Sequence, residues 1–415
     1  MLGILEQLAL IMLLGIAAKM ICDRINFPDI VVFILLGTVL STYDLVNMQS
    51  MAPLPELVRT LALIVVVFTS AFYLRFDALQ KYSREILLLA TIGVLITALT
   101  ITLTTAILLP IPILAAAFLG VLLCGTDPAA LSESLSGKQS KIAMILSAES
   151  LFNQPFTIIL PLILLEFISV SNPLAMIPGA IFFVPIIQFV LLVLVGIIIG
   201  FAFAYLGKRI IEHMQGKHEE IIGLMLALGS FSLAQMFYGS GVVAVSVCGL
   251  LLTSLKMPEK RWFGEFNKEL AFMFTMFVFI FLGAEFRFDQ LLFGRGEILA
   301  IIAALFFARF LSTSIILKGT LFSLKERFVI GLIAPKGIAP AALAPLLIER
   351  GIIGSDIVAK IIYIGIILSI LFSLFIAKFT ILKPKEKEVV ADKVKEMKGK
   401  REKKEEAKAI KPYQN

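Results

Sequence analysis

Four charged side chains, Asp127, Glu149, Arg309 and Lys336, lie inside long apolar stretches of this 415-residue chain, away from any obvious source of water. Charge in such surroundings is costly, so it normally pairs and normally marks a path for ions or protons. The segment Ala148-Glu149-Ser150-Leu151-Phe152-Asn153-Gln154-Pro155-Phe156-Thr157 sets Glu149 with Asn153, and Ser150 with Gln154, four residues apart. On a helix these side chains share one face. Carboxylate, amide and hydroxyl oxygens gathered there are the hard ligands that a small cation prefers. Interhelical hydrogen bonds that glue a bundle together are the plainer use of the same face.

The other two charges accompany helix breakers. Asp127 stands in Gly125-Thr126-Asp127-Pro128, and Lys336 in Pro335-Lys336-Gly337-Ile338-Ala339-Pro340. Proline removes a backbone donor and clashes with the preceding turn, so each helix is expected to unwind at mid-length. Asp127 suits the positive ends of half-helices and Lys336 the negative ends; a purely structural role for the two competes with a part in ion handling.

The elements that must position these groups are read from composition and hydropathy. With 59% hydrophobic and 16% charged residues, the chain has too much apolar surface for one soluble core. Apolar runs recur at approximately 2-21, 29-42, 56-74, 84-109, 112-136, 141-169, 177-206, 218-237, 240-254, 269-285, 296-317, 327-348 and 356-382. They predict an all-α membrane protein of about thirteen transmembrane helices, spans 5 and 12 being discontinuous. The first run has no basic segment before it and is read as a retained helix.

Lysine and arginine collect in the loops that join odd to even spans, while Arg287, Arg295 and Arg350 fall on the other side. That bias predicts an outside N-terminus and a cytoplasmic tail. Residues 383-415 form the tail, with twelve basic and seven acidic residues, +5 of the net +7. The basic balance therefore belongs largely to a solvated extension and not to a nucleic-acid surface. Cys22, Cys124 and Cys248 lack ligand spacing, and His213 and His218 sit in a charged loop. No Ser/His/Asp constellation, metal-ligand cluster or phosphate-cradling glycine loop appears, so neither an enzyme nor a cofactor is predicted.

Three short matches share one offset. Arg75-Phe76-Asp77-x-Leu79 recurs as Arg287-Phe288-Asp289-x-Leu291, Glu85-Ile86-Leu87 as Glu297-Ile298-Leu299, and Pro128-Ala129-Ala130-Leu131 as Pro340-Ala341-Ala342-Leu343. The second copies follow the first by 212 residues in each case (287 minus 75, 340 minus 128). Residues 1-382 accordingly divide into a first six-helix repeat at about 1-169, a linker helix at 177-206 and a second repeat at about 218-382. One span between the copies inverts the second across the bilayer, the architecture of secondary transporters whose site lies where broken helices of the two halves meet.

Thr126-Asp127-Pro128, Glu149-Ser150-Leu151-Phe152-Asn153, Ala308-Arg309-x-Leu311 and Pro335-Lys336-Gly337 together resemble the cation/proton antiporter superfamily, particularly its prokaryotic-type sodium/proton exchangers. The resemblance covers residues 1 to about 382. It implies that Asp127 and Lys336 balance crossing half-helices, that Glu149 pairs with Arg309, and that Thr126, Ser150 and Asn153 line the ion site. It further implies a homodimer in the cell membrane whose six-helix core moves against a dimerisation domain, exchanging Na+ or another monovalent cation for H+. One departure stands out. Where that family ordinarily carries an ion-binding Asp after the Asn, this chain has Gln154, and Gln takes up no proton at physiological pH. Exchange would then fall to Asp127 or Glu149; the alternative is a non-exchanging, transporter-like protein serving as an ion sensor, regulatory subunit or leak pathway.

Overall fold

The structure is a computed structural model that describes residues 3–25, 27–48, 50–73, 76–127, 141–168, 180–214, 219–254, 260–286, 295–349 and 351–380. Among these the regular elements are helical, as the apolar runs require. They are α1 (Ile4–Ile25), α2 (Asp29–Thr42), α3 (Leu54–Phe72), α4 (Phe76–Leu88), α5 (Val94–Leu108), α6 (Ile113–Cys124), α7 (Lys141–Ile168) and α8 (Ala180–Met214). After these come α9 (Glu219–Met236), α10 (Gly241–Ser254), α11 (Lys260–Ala284), α12 (Arg295–Ile316), α13 (Leu324–Leu332), α14 (Ile338–Glu349) and α15 (Ser355–Thr380). A π-helical turn, Leu89–Gly93, joins α4 to α5.

Eight helices among the described residues have the length and apolar composition to cross a membrane, and shorter apolar helices accompany them. Of the eight, the stretch Ile186–His213 in α8 is the least covered by protein. It turns Ile186, Ile187, Leu191, Leu194, Ile198 and Phe201 outward. Exposed aliphatic surface on that scale belongs against lipid or another apolar partner. The helix also continues past the 177-206 run to Met214, so His213 is an exposed residue of its last turn and not of a loop. His218, the tail 383-415, and the first copies of two of the repeat matches fall wholly or partly outside the described residues.

Small residues bring helices close where burial of side chains alone would hold them apart. Gly37 of α2 and Gly283 of α11 face each other, and a Cβ on either would strike the partner helix at the Ile280 or Ile34 carbonyl oxygen. Thr38 adds a hydroxyl that bonds the Ile34 carbonyl at 3.1 Å, the Gly283 carbonyl at 3.0 Å and the Tyr363 hydroxyl of α15 at 2.7 Å. An ion pair between Arg59 and Glu285 ties α3 to the end of α11. On the other side of the site, Gly120 lets α6 lie against the Ala98 carbonyl of α5.

α13 begins with a capping box in which the Ser323 side chain accepts from the Glu326 amide and the Glu326 side chain accepts from the Ser323 amide. It ends after Leu332, and residues 333–337 run non-helically before α14 starts at Ile338. Pro335 has no amide to donate, and the residue before a proline is disfavoured in helical geometry. The amides freed on either side find partners in α15, where Ala334 donates to Ser373 Oγ and Lys336 to Ser369 Oγ, each at 3.0 Å. Those two serines are four residues apart and so present one polar stripe to the break. α6 stops at Cys124 in a similar way, with Gly125 extended (φ −72°, ψ 164°) and Asp127 preceding Pro128, which lies outside the described residues.

Candidate ion site at the crossing of two helix breaks

The non-helical segments after α6 and α13 cross in contact. The Asp127 amide donates to the Pro335 carbonyl at 2.9 Å, and the Lys336 ammonium donates to the Gly125 carbonyl at 2.6 Å. The Ile338 amide, at the start of α14, donates to Asp127 Oδ2 at 3.4 Å. Each charge therefore meets the helix end of opposite polarity: the carboxylate an N-terminus and the ammonium a C-terminus. Lys336 is 1% exposed, so its charge has no recourse to water and depends on this arrangement. Gly337 permits the approach, since a Cβ there would overlap the Asp127 carboxylate.

Glu149 of α7 and Arg309 of α12 are both 0% exposed. Arg309 donates from Nη1 to Oε1 at 2.6 Å and from Nη2 to Oε2 at 3.1 Å, the two-pronged geometry in which guanidinium and carboxylate bind best. With both oxygens so engaged, Glu149 is committed to holding α7 against α12. Asn153 lies one turn further along α7 and points to the crossing, where its amide nitrogen donates to Thr126 Oγ1 at 3.3 Å.

A cavity opens beside the crossing, lined among others by Thr126, Asp127, Ser150, Asn153 and Gln154. Its volume is ≈ 30 Å³. One enclosed water needs about 10–15 Å³, so a bare monovalent ion with a water fits. Glu149, Arg309 and Lys336 are buried but do not line it. Asp127 is the carboxylate of the lining, among the described residues. Gln154 Oε1 is enclosed and lacks a hydrogen-bond partner.

A buried bidentate ion pair on one helix pair, with two crossed helix breaks and a cavity that carries a carboxylate, hydroxyls and amides in its wall, is an architecture for moving ions through a bundle. The transmembrane family model for the sodium/hydrogen exchanger matches residues 8–382. The chain belongs to the sodium/hydrogen exchanger family. It is thus a multi-pass membrane protein of a transporter family. Among its relatives, it is similar to Na+/H+ antiporter 1 of Methanocaldococcus jannaschii, at 28% identity across 89% of this chain and 92% of the relative. It is also similar to the Na+/H+ antiporter ApNhaP of Aphanothece halophytica, at 28% identity across 74% of this chain and 60% of the relative. A third relative, the K+/H+ antiporter NhaP of Alkalimonas amylolytica, is 23% identical across 88% of this chain and 64% of its own length. The fold matches the structure of the sodium proton antiporter MjNhaP1 from M. jannaschii at pH 8, with a TM-score of 0.79 and 25% identity, covering 92% of this chain and 98% of that one.

Sequence reasoning missed the residues that stabilise the break in this family member. Ser369 and Ser373, two serines of a largely apolar helix, offered only their spacing of four as a signal. Gly337 was legible only as a helix breaker, since its closeness to Asp127 arises between segments far apart in the chain. The Thr38–Tyr363 contact carried no sequence signal.

Proposed function

We propose that this protein exchanges a monovalent cation, Na+ foremost, for H+ by alternating access. The observation that carries the proposal is the placement of Asp127 at the crossing, oriented by the Ile338 amide and lining a cavity whose other polar side chains are hydroxyls and amides. A carboxylate holds a proton or balances a bound cation, and competition between the two is the simplest basis for antiport. Glu149 is the poorer carrier, because both its oxygens are engaged by Arg309 and it does not line the cavity. Thr126, Ser150 and Asn153 supply neutral oxygens to the cation, while Lys336 and the Glu149–Arg309 pair hold the broken helices in register.

The same proposal places the chain in the cell membrane with its N-terminus outside and its charged tail in the cytoplasm, as the lysine and arginine bias supports. It includes two inverted repeats within residues 1-382, and a homodimer in which a core around the site moves against the other helices. The test is a sodium jump across vesicles reconstituted with the protein. Sodium-dependent proton release is expected from wild type and not from Asp127→Asn; an Asp127→Asn protein that exchanges at the wild-type rate refutes the assignment of the proton carrier, and a silent wild type refutes exchange itself.

A further inference from the structure

Gln154 carries an observation that charge pairing in the site does not explain. Its carboxamide oxygen is buried, without a hydrogen-bond partner, at the wall of the cavity. A buried carbonyl oxygen with no donor is destabilising, and a water or an ion is among the partners that relieve such an atom. Apart from apolar side chains such as Val67, Leu122 and Ile158, and from Asp127, its side-chain neighbours in the lining are of the same kind. Thr126 and Ser150 offer hydroxyls, and Asn153, whose amide nitrogen is used on Thr126, has its carbonyl oxygen left for another partner. The negative charge is sparse: of the two nearby acids, Glu149 is spent on Arg309, which leaves Asp127 as the lining carboxylate among the described residues.

The side-chain oxygens that a cation meets in this cavity would therefore be mostly neutral. Carboxylates create a strong local field and reward a small ion that can be approached closely; carbonyl and hydroxyl dipoles create a weaker one and discriminate less against a larger, more easily dehydrated ion. We propose that Gln154 is a specificity-determining residue whose neutral carboxamide oxygen ligates the transported cation directly and weakens the field of the site so that K+ is accepted alongside Na+. The proposal rests on the cation-exchange reading above and names the substrate range of that same site.

The experiment measures cation binding and exchange separately, so that the two can fail independently. Purified protein in detergent is titrated with NaCl or KCl, ionic strength being held with choline chloride, and thermal stabilisation reports half-saturation. Proton release from vesicles is then followed with each salt. In wild type the half-saturating K+ and Na+ concentrations are expected to lie within about tenfold of each other. Gln154→Glu is expected to favour Na+ over K+ by at least about a further tenfold, by restoring a strong-field ligand. Gln154→Met, of similar volume and without the oxygen, is expected to raise both half-saturation values by about tenfold.

Wild-type protein that responds to Na+ while ignoring K+, or to neither, overturns the proposal. So does a Gln154→Met protein with unchanged half-saturation, which would mean that the oxygen serves only a resident water. If binding follows the expected pattern while wild-type vesicles release no protons, the exchange reading fails and the assignment of Gln154 stands.

Discussion

Removing the charge from either member of the Glu149–Arg309 pair is expected to destabilise the protein, and by unequal amounts. Both side chains are fully buried and joined by two bonds. Two unit charges about 4 Å apart attract by about 4 kcal/mol at an effective dielectric of ~20. Breaking a buried pair from one side costs about 3–5 kcal/mol, because the remaining charge is left without a partner or solvent. Lys336 makes the two halves of the experiment different, since it lies within electrostatic reach of both Arg309 and Glu149. Arg309→Met leaves the carboxylate under the attraction of Lys336, which offsets part of the loss, so its cost should lie near the lower figure. Glu149→Gln leaves Arg309 without its counter-ion and with the repulsion of Lys336 unopposed, so its cost should lie near the upper one. The double variant removes the pair together and should recover at least ~2 kcal/mol relative to Glu149→Gln, because a neutral pair of similar volume incurs no charge burial. Denaturant unfolding of the detergent-solubilised protein measures all three, and a difference of about 3 kcal/mol appears as a more than hundredfold change in the unfolding equilibrium. A cost under about 1 kcal/mol for Arg309→Met, or a greater cost for it than for Glu149→Gln, would refute the electrostatic reasoning.

Two further outcomes follow from the geometry. Gly337→Ala should abolish or severely slow vesicle exchange while the protein remains helical, because the new methyl group takes the space of the Asp127 carboxylate; wild-type rates in that variant would mean that the crossing is looser than described. At the start of α13, outside the spans, burial pushes the Glu326 carboxyl up, but the Ser323 amide and hydroxyl and the nearby Lys141 outweigh it and hold the group below its usual 4.5. A lowered folded value means a contribution that is complete above the ordinary carboxyl range and is lost as pH falls through the folded value. Thermal stability of wild type should thus fall more steeply below about pH 4.5 than that of Glu326→Gln, and parallel curves would remove the group from the acid response.

Much of the site was legible because buried charge is rare and helix breakers are local. Asp127, Glu149, Arg309 and Lys336 declare themselves by standing in apolar runs, and the proline-bearing segments announce that two helices are interrupted. The i, i+4 spacing of Glu149 with Asn153 and of Ser150 with Gln154 follows from helical geometry alone. What was not legible depends on meetings between distant segments. Nothing in the sequence around Ser369 and Ser373 says that they receive the amides of Ala334 and Lys336, and nothing around Gly37 and Gly283 says that α2 and α11 touch backbone to backbone.

The sequence by itself determined the solvent, the helical class and the places where helices had to stop, because hydropathy, backbone satisfaction in lipid and the chemistry of proline act within a single segment. Only the tertiary structure decided which break meets which. Asp127 and Lys336 stand 209 positions apart (336 minus 127), and their exchange of bonds across the crossing is a product of packing, as is the isolation of the Gln154 oxygen. An unpaired atom has no sequence signature, since being unpaired is a property of what the rest of the fold brings near it and what it leaves out.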